Sequence, residues 1–314
     1  MSDKKVIRLC FDGGMTWSYL RIFNQLPGIN DAFEFVEDRR NPQLVIYCDK
    51  NHIKDPIRSK HNCPHLLYCA EYMVPDMGVW DYALNWDYVS GSRCFRYPNY
   101  IIYGAGEDLI KRRNYDPEKI LRSKKKFCAF VQYSHRPYRN QFFDILNAHK
   151  HVDAPGKQCN NMRPLGGNSD PKDSRYGKRQ PWVFEVRDFF KDYKFVITFE
   201  NGIHSGYVTE KIYNAMLCNV IPIYLGAPDI YRDFNVKSFV HIRDFCPRKN
   251  VAISPQGSYP KMFTDAVRYI MELDKDDKAY CDMLSKPWYN NNVVNEFADK
   301  NNMAKFFTNI FNRV

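Results

Sequence analysis

The stretch that decides the fold runs from Lys194 to Gly226 and reads KFVITFENGIHSGYVTEKIYNAMLCNVIPIYLG. Residues 195–199 form a short β-branched and aromatic run, which predicts a buried strand. A loop rich in glycine and polar residues follows, and residues 208–217 then carry apolar side chains at helical spacing. A second apolar run of strand length spans 220–225. The stretch therefore predicts a strand–helix–strand unit of the kind that builds parallel sheets, with ligand sites at the carboxyl ends of the strands.

Strands alternate with helical patterns along the rest of the chain, which indicates an α/β fold. The other predicted strands include those at 6–11, 44–48, 66–70 and 127–132. A charged stretch at 104–126 has the composition of a linker or surface helix, and the last residues have the spacing of an amphipathic helix. We therefore expect two domains, at residues 1–125 and 126–290, followed by a helical tail at 291–314.

Composition and charge narrow the class of protein. The 314 residues are 44% hydrophobic and 16% aromatic, which excludes a disordered chain. The formal net charge of +10 favours an anionic partner, such as nucleic acid, an acidic membrane surface or a phosphorylated small molecule. A basic soluble protein without such a partner has the same balance. Basic residues are scattered and do not form a stripe with aromatic side chains, so an RNA-binding protein is the remote alternative.

Targeting and membrane-spanning patterns are not found in this sequence. Residues 1–8 are polar and charged, and no run of about 18 apolar residues occurs. None of the ten cysteines forms a CxxC pair, and several lie in strand-like runs where a thiol packs as a small hydrophobic group. We expect a reduced, cytoplasmic protein, with contact between the basic amphipathic tail and a membrane surface as an alternative.

Polar side chains gather at the loop and first helical turn of the opening stretch. Glu210 and Lys211 lie where free N–H groups and the helix dipole favour anions. A diphosphate suits Lys211, and the carboxylate of Glu210 can accept hydrogen bonds from vicinal hydroxyl groups such as those of a ribose. Arg163, in the preceding loop, can add a bidentate phosphate contact. Ordinary surface charges produce the same pattern, and the residues alone leave that alternative open.

The segment FENGIHSGYVTEKIYNA, residues 199–215, resembles the signature of the α-1,3-fucosyltransferases of glycosyltransferase family 10. The family pattern is a strand ending in F-E-N, a short loop, G-Y-V-T-E-K, a helix, and a strand end P-I-Y-x-G. All of these parts occur here in register. The runs FCAFVQ, VDAPGKQCNN and DFNVKSFVHIRDF are also similar to family sequence, so the resemblance covers roughly residues 65–250.

This resemblance implies a GT-B-type fold, in which two Rossmann-like domains face a cleft. The first domain is expected to bind the acceptor sugar and the second to bind GDP-fucose. The resemblance matches Tyr207, Glu210 and Lys211 to donor-binding positions, and we count Asn201 of the same motif with them. It also matches Arg163 to a phosphate-binding arginine.

The resemblance further assigns a catalytic base to the first domain. Glu71, in CAEYMVPD, matches a strand-end glutamate that looks like the base of the family, whereas Tyr72 replaces the asparagine that follows it there. The implied reaction is an inverting transfer of L-fucose from GDP-β-L-fucose to a hydroxyl group, O3 of GlcNAc or glucose, of an acceptor glycan. Lys211 and Arg163 then stabilise the GDP leaving group. Another nucleotide-sugar transferase on the same fold is the nearer alternative.

Many sugar transferases bind a metal through a D-x-D motif. The acidic residues around Asp276 and Asp277 lie in a polar segment typical of a protein surface. Cationic side chains can stabilise a departing diphosphate in place of a metal. We therefore expect that no metal or other cofactor is required besides the donor substrate.

Overall fold

The computed structural model describes residues 4–12, 22–47, 61–69, 74–88, 91–104, 106–165, 181–247 and 252–314. The strands are β1 (Lys5–Asp12), β2 (Phe33–Glu37), β3 (Leu44–Tyr47), β4 (His65–Cys69), β5 (Tyr82–Asn85), β6 (Cys94–Arg96), β7 (Lys126–Ala129), β8 (Val152–Asp153), β9 (Tyr193–Ile197), β10 (Ile221–Tyr224) and β11 (Val240–His241). The helices are α1 (Ile29–Ala32), α2 (Asn99–Ile102), α3 (Pro117–Ser123), α4 (Pro137–His149), α5 (Pro181–Phe190), α6 (Glu210–Leu217), α7 (Pro260–Lys275), α8 (Asp277–Ser285) and α9 (Lys300–Arg313).

The strands form two parallel sheets, which confirms the predicted α/β class. The first sheet has the order β2-β1-β3-β4-β5-β6 and the second has the order β11-β10-β9-β7-β8. Every residue of β3, β5 and β10 is buried. Parallel strands are covered on both faces, which explains why their sequences are continuous apolar runs without alternation.

The opening stretch folds as predicted into strand, helix and strand. β9 and β10 pair in parallel with Phe195 opposite Ile221 and Ile197 opposite Ile223, and α6 connects them. β9 also pairs with β7, so that Val196 lies opposite Ala129. The carboxyl ends of β7 and β9 therefore lie side by side, next to the amino terminus of α6.

The chain divides into two compact units whose bounds differ from the predicted domains. One unit comprises residues 1–102 and 295–314, and the other comprises residues 103–294. The charged stretch after residue 103 belongs to the second unit because its side chains and backbone are bonded there. The hydroxyl of Tyr213 donates to Asp108, and the Lys111 amide donates to Asn292 Oδ1 at 2.9 Å. A charged composition resembles a linker, but here the charged stretch forms hydrogen bonds with distant parts of the chain.

The predicted tail helix is α9, and it packs within the first unit. Asp299 caps its amino terminus by accepting a hydrogen bond from the Asn301 amide at 2.8 Å. Phe307 and Phe311 contact the ring of Phe23 edge-on, with centroid separations of 4.9 and 5.2 Å. The apolar face of the helix is therefore buried among aromatic rings. Within the described part of the chain, no helix combines the length and apolar content needed to cross a membrane.

Candidate functional site

A cavity of about 170 Å³ lies in the second unit, where β7 and β9 end and α6 begins. Its apolar walls are formed by Val131, Val186, Phe190, Val196 and Ile197. Its polar lining consists of Gln132, Tyr133, Ser134, Thr198, Asn201, Glu210, Lys211 and Asn214. This is the edge of a parallel sheet at which α/β proteins bind ligands. The cavity therefore combines an apolar interior with hydrogen-bonding groups at its margin, as small-molecule sites do.

Lys211 and Glu210 line this cavity side by side in the first turn of α6. The side chains are largely buried, with 18% and 15% of their surface exposed, and Lys211 Nζ lies 3.9 Å from Glu210 Oε1. The ammonium also lies 3.4 Å from Glu200 Oε2 and donates to Thr209 Oγ1 at 3.0 Å. Lys211 is therefore held at a defined place among oxygen atoms and does not extend freely into solvent.

Glu200 is a buried carboxylate to which the sequence analysis assigned no role. Its side chain is fully buried, and its oxygens accept from the Thr209 amide at 2.8 Å and from the Thr209 hydroxyl at 2.6 Å. A buried charge is stable only when it is paired and hydrogen-bonded, and both conditions are met here. The one sequence signal for a buried, paired carboxylate here was the position of Glu200 at a strand end, within the F-E-N motif.

Asn201 is fixed at the cavity by two arginines, Arg136 directly before α4 and Arg139 in its first turn. Arg136 Nε donates to the backbone oxygen of Asn201 at 2.9 Å, and Arg139 Nη2 donates to its Oδ1 at 2.9 Å. Because a guanidinium only donates, the Asn201 side-chain oxygen must face Arg139, and the amide nitrogen faces away from it. The two arginines therefore determine which way the amide of Asn201 is oriented.

Arg139 is completely buried, which is rare for an arginine. Its Nη2 also donates to the Phe199 backbone oxygen at 2.5 Å. Burial is the main effect on its guanidinium and lowers the pKa of Arg139 from its ordinary value. Burial also raises the pKa of the neighbouring Tyr138 to about 12, so its hydroxyl remains a donor and bonds to the Glu200 backbone oxygen. Both side chains tie α4 to the end of β9.

Asn214 is a further lining residue that the sequence analysis did not identify. It lies one turn beyond Glu210 on α6 and is almost fully buried. Arg187 of α5 donates through Nε to its Oδ1 at 2.8 Å. The helical spacing of Glu210 and Asn214 places them on one face, and that spacing is the signal from which Asn214 was predictable.

Of the predicted donor-binding residues, the structure brings Asn201, Glu210 and Lys211 together at the cavity. Tyr207 is buried, and its amide donates to the His204 oxygen at 3.2 Å within the preceding loop. Arg163 is exposed in the loop after β8. Neither of these two is among the residues that line the cavity. Glu71 lies outside the described residues.

The loop between β9 and α6 is held in place by an aspartate that follows β10. Asp229, which follows β10, accepts from the Ser205 hydroxyl at 2.5 Å and from the Gly206 amide at 2.9 Å. Gly206 has φ of 76°, a left-handed conformation that favours glycine. The G-Y-V-T-E-K motif therefore begins with a glycine because the loop turns there before Tyr207 enters the interior.

The acidic segment near Asp276 contains a D-x-D triplet, Asp274-Lys275-Asp276. Asp274 is paired with Lys150 at 2.5 Å and with Lys194 at 2.9 Å. Asp276 caps α8 by accepting from the Ala279 amide at 2.9 Å. Asp274 therefore joins α7 to the residue after α4 and to β9, and Asp276 caps the helix that it precedes. Among the described residues, no group of three His, Cys, Asp or Glu side chains is arranged to hold a metal ion.

Comparison with known families identifies the chain. Residues 121–310 match the family model of glycosyltransferase family 10 (fucosyltransferase), C-terminal part. This match covers more than half of the chain and includes all the residues that line the cavity. The chain belongs to glycosyltransferase family 10.

Individual relatives agree with the family assignment. A fucosyltransferase of Acanthamoeba polyphaga mimivirus is 29% identical over 245 residues, which are 77% of this chain and 36% of the relative. The α-(1,3)-fucosyltransferase FucT of Helicobacter pylori is 29% identical over 260 residues, which are 73% of this chain and 48% of the relative. The chain thus spans between a third and a half of the length of these relatives.

The fold matches that of a solved α1,3-fucosyltransferase. A crystal structure of an α1,3-fucosyltransferase with GDP-fucose aligns with a TM-score of 0.70 and 22% identity, covering 99% of this chain and 92% of that chain. This likeness, together with the two parallel sheets, confirms the predicted GT-B-type fold with two Rossmann-like units.

Proposed function

We propose that this chain is an inverting fucosyltransferase. It transfers L-fucose from GDP-β-L-fucose to a hydroxyl group of an acceptor glycan, with O3 of GlcNAc or glucose as the expected position. The observation that carries the proposal is the meeting of Asn201, Glu210 and Lys211 at one cavity, at the start of α6, within the segment that matches the family.

The second unit is the proposed donor-binding unit. The Lys211 ammonium and the amino terminus of α6 together favour a diphosphate, because both present positive charge to it. Glu210 can accept hydrogen bonds from the two ribose hydroxyl groups. The apolar walls of the cavity suit a base or the face of a sugar ring. Donor affinity in this proposal comes from charge and hydrogen bonds at the rim and from burial inside.

Electrostatic balance requires more positive charge than Lys211 supplies. Two carboxylates, Glu200 and Glu210, lie within 4 Å of its ammonium, so this group of side chains is formally negative. Arg163 is the second phosphate-binding cation in our proposal, on the basis of the sequence resemblance. Arg136 adds positive charge beside Asn201, and within the described ranges it forms no ion pair with a carboxylate.

The chemistry follows from the stereochemistry of donor and product. The donor is β-linked and the product is α-linked, so the reaction inverts the configuration at the anomeric carbon. The acceptor oxygen therefore attacks this carbon from the side opposite the diphosphate. The bond from that carbon to the β-phosphate oxygen breaks, and its electron pair leaves with GDP. Glu71 is the proposed base that takes the proton of the acceptor hydroxyl. Such assistance contributes about 10²–10⁴-fold to the rate, and stabilisation of the departing diphosphate contributes further.

A donor and acceptor screen tests the proposal. The chain is incubated with GDP-fucose, GDP-mannose or UDP-galactose and a panel of glycans that end in N-acetyllactosamine, GlcNAc or lactose. Release of the nucleoside diphosphate is followed, and the linkage of the product is determined by NMR. We expect transfer from GDP-fucose only, with an α1,3 linkage. Transfer from another donor would support a different nucleotide-sugar transferase, and absence of transfer from every donor would contradict the proposal.

A further inference from the structure

Glu200 contacts the donor-binding lysine without lining the cavity itself. We propose that Glu200 is a positioning residue, which sets the Lys211 ammonium in place for the donor diphosphate. This inference rests on the proposed function of the second unit. It assigns to the glutamate of F-E-N a role through Lys211 and not through direct contact with the substrate.

The two carboxylate oxygens of Glu200 are divided between Thr209 and Lys211. Oε1 accepts from the Thr209 amide at 2.8 Å. Oε2 accepts from the Thr209 hydroxyl at 2.6 Å and lies 3.4 Å from Lys211 Nζ. The same Thr209 hydroxyl oxygen accepts from Lys211 Nζ at 3.0 Å. Carboxylate, hydroxyl and ammonium therefore form a closed triangle, in which each group limits the position of the other two.

Glu200 can act as a fixed reference because its own position is determined on every side. Its amide donates to the Leu225 oxygen at 2.8 Å, and its backbone oxygen accepts from the Tyr138 hydroxyl. The chain passes close to its side chain at Gly226, where an added Cβ would lie 2.5 Å from Glu200 Cγ. The same Cβ would also meet the Tyr224 hydroxyl, so the packing around Glu200 and Tyr224 requires glycine at position 226.

Preorganisation is the physical reason for such a device. Lysine has a long flexible side chain, and fixing it costs conformational entropy when a ligand binds. In this protein the Lys211 side chain loses that conformational freedom during folding, since Glu200 and Thr209 hold its ammonium before the diphosphate binds. The ammonium retains a donor for the ligand, because it has three N–H groups and only part of them face Glu200 and Thr209.

The test compares GDP with guanosine in the variant Glu200→Gln. Glutamine has the same shape as glutamate, but it is uncharged. Its NH2 group, placed where Oε2 was, cannot accept hydrogen bonds from the Thr209 hydroxyl and the Lys211 ammonium. GDP affinity is expected to fall about 10- to 100-fold, as for loss of a charged buried hydrogen bond, whereas guanosine affinity is unchanged. Calorimetry measures GDP binding and NMR titration measures guanosine binding. Glu272→Gln, an exposed glutamate on α7, is the matched control and should bind GDP as the unmodified chain does.

A double-mutant cycle separates positioning from general destabilisation. If Glu200 acts through Lys211, then Glu200→Gln in the Lys211→Ala background produces no further loss of GDP affinity. Additive losses, or equal losses for GDP and guanosine, would overturn the inference. Should Glu200→Gln fail to fold, Thr209→Val removes the bridging hydroxyl and is expected to weaken GDP binding selectively, and Thr209→Ser to restore it. Equal GDP affinities of these two Thr209 variants would likewise overturn it.

The unmodified chain distinguishes failure of this inference from failure of the proposed function. If it binds GDP in preference to ADP and UDP but Glu200→Gln binds GDP equally well, the inference is wrong and the proposed function stands. If the unmodified chain shows no such preference for GDP, both are overturned.

Discussion

The fully buried guanidinium of Arg139 donates a 2.9 Å hydrogen bond to Oδ1 of Asn201, a residue 62 positions later in the chain. This bond joins α4 to the carboxyl end of β9 and orients an amide at the rim of the cavity. The strand end therefore carries a fixed hydrogen-bonding group because a distant helix supplies the donor.

Arg139→Met is expected to destabilise the protein by about 1–3 kcal/mol, because the oxygens of Phe199 and Asn201 lose a buried donor. Methionine keeps most of the apolar volume, so the loss reports the hydrogen bonds. Urea unfolding measures it, with Arg113→Met as an exposed control that should change stability by less than about 0.5 kcal/mol. An equal effect of the two substitutions would contradict the role of Arg139.

Glu210→Gln is expected to reduce discrimination between GDP and 2′-deoxy-GDP. If the carboxylate accepts from the ribose hydroxyls, the chain prefers GDP by about tenfold, and the amide reduces this preference to about twofold. Competition binding with the two nucleotides measures it. An unchanged preference in the variant would remove Glu210 from the ribose site.

Glu71→Gln is expected to lower kcat by about 10²–10⁴-fold while the affinity for GDP-fucose remains nearly the same, because the general base acts in the chemical step. Steady-state kinetics and GDP-fucose binding are measured on the same preparation. A KM effect without a kcat effect would assign Glu71 to binding and leave the base unidentified.

Removal of divalent metal is expected to leave transfer unchanged. In the proposed mechanism Lys211, Arg163 and the start of α6 stabilise the diphosphate, and the Asp274 and Asp276 carboxylates serve structural bonds. Initial rates are compared after dialysis against EDTA and after addition of Mg²⁺ or Mn²⁺. Abolition of transfer by the chelator, with recovery on metal addition, would refute the expectation.

Lys111 predicts a pH dependence of stability in the second unit. Its ammonium donates to the Leu284 and Lys286 backbone oxygens and lies 3.8 Å from the Trp288 ring centroid, and burial lowers the pKa of Lys111 to about 7 from 10.5. Between pH 7 and pH 10.5 Lys111 therefore binds a proton in the unfolded chain but not in the folded chain. The contribution of Lys111 to stability therefore increases as pH rises through this window, by up to about 1.4 kcal/mol per unit.

The comparison with Lys111→Met isolates this effect. The unfolding free energy of the unmodified chain, relative to the variant, is expected to increase between about pH 7 and pH 10 and to be constant below pH 6. Urea unfolding at several pH values measures the difference. A difference that stays constant or falls between pH 7 and pH 10 would show that Lys111 keeps its proton in the folded state.

The sequence by itself determined the local structure and the family. The apolar runs around residues 195–199 and 220–225 specify strands because each is short, β-branched and bounded by loop residues. The helical spacing between them predicts α6, and the first-turn position of Glu210 and Lys211 follows from that helix. These features depend on neighbours in the chain, so periodicity is enough to predict them.

Only the tertiary structure decided which polar groups meet and which are buried. The neighbours of Glu200 and Arg139 in the sequence do not show that either charged side chain is fully buried, which happens because parallel pairing of β7, β9 and β10 brings distant segments against them. The charged stretch after residue 103 likewise resembles a linker in the sequence, and only its partners, such as Tyr213 for Asp108, show that it belongs to the second unit. Burial and pairing are properties of contacts across the chain, and composition does not record them.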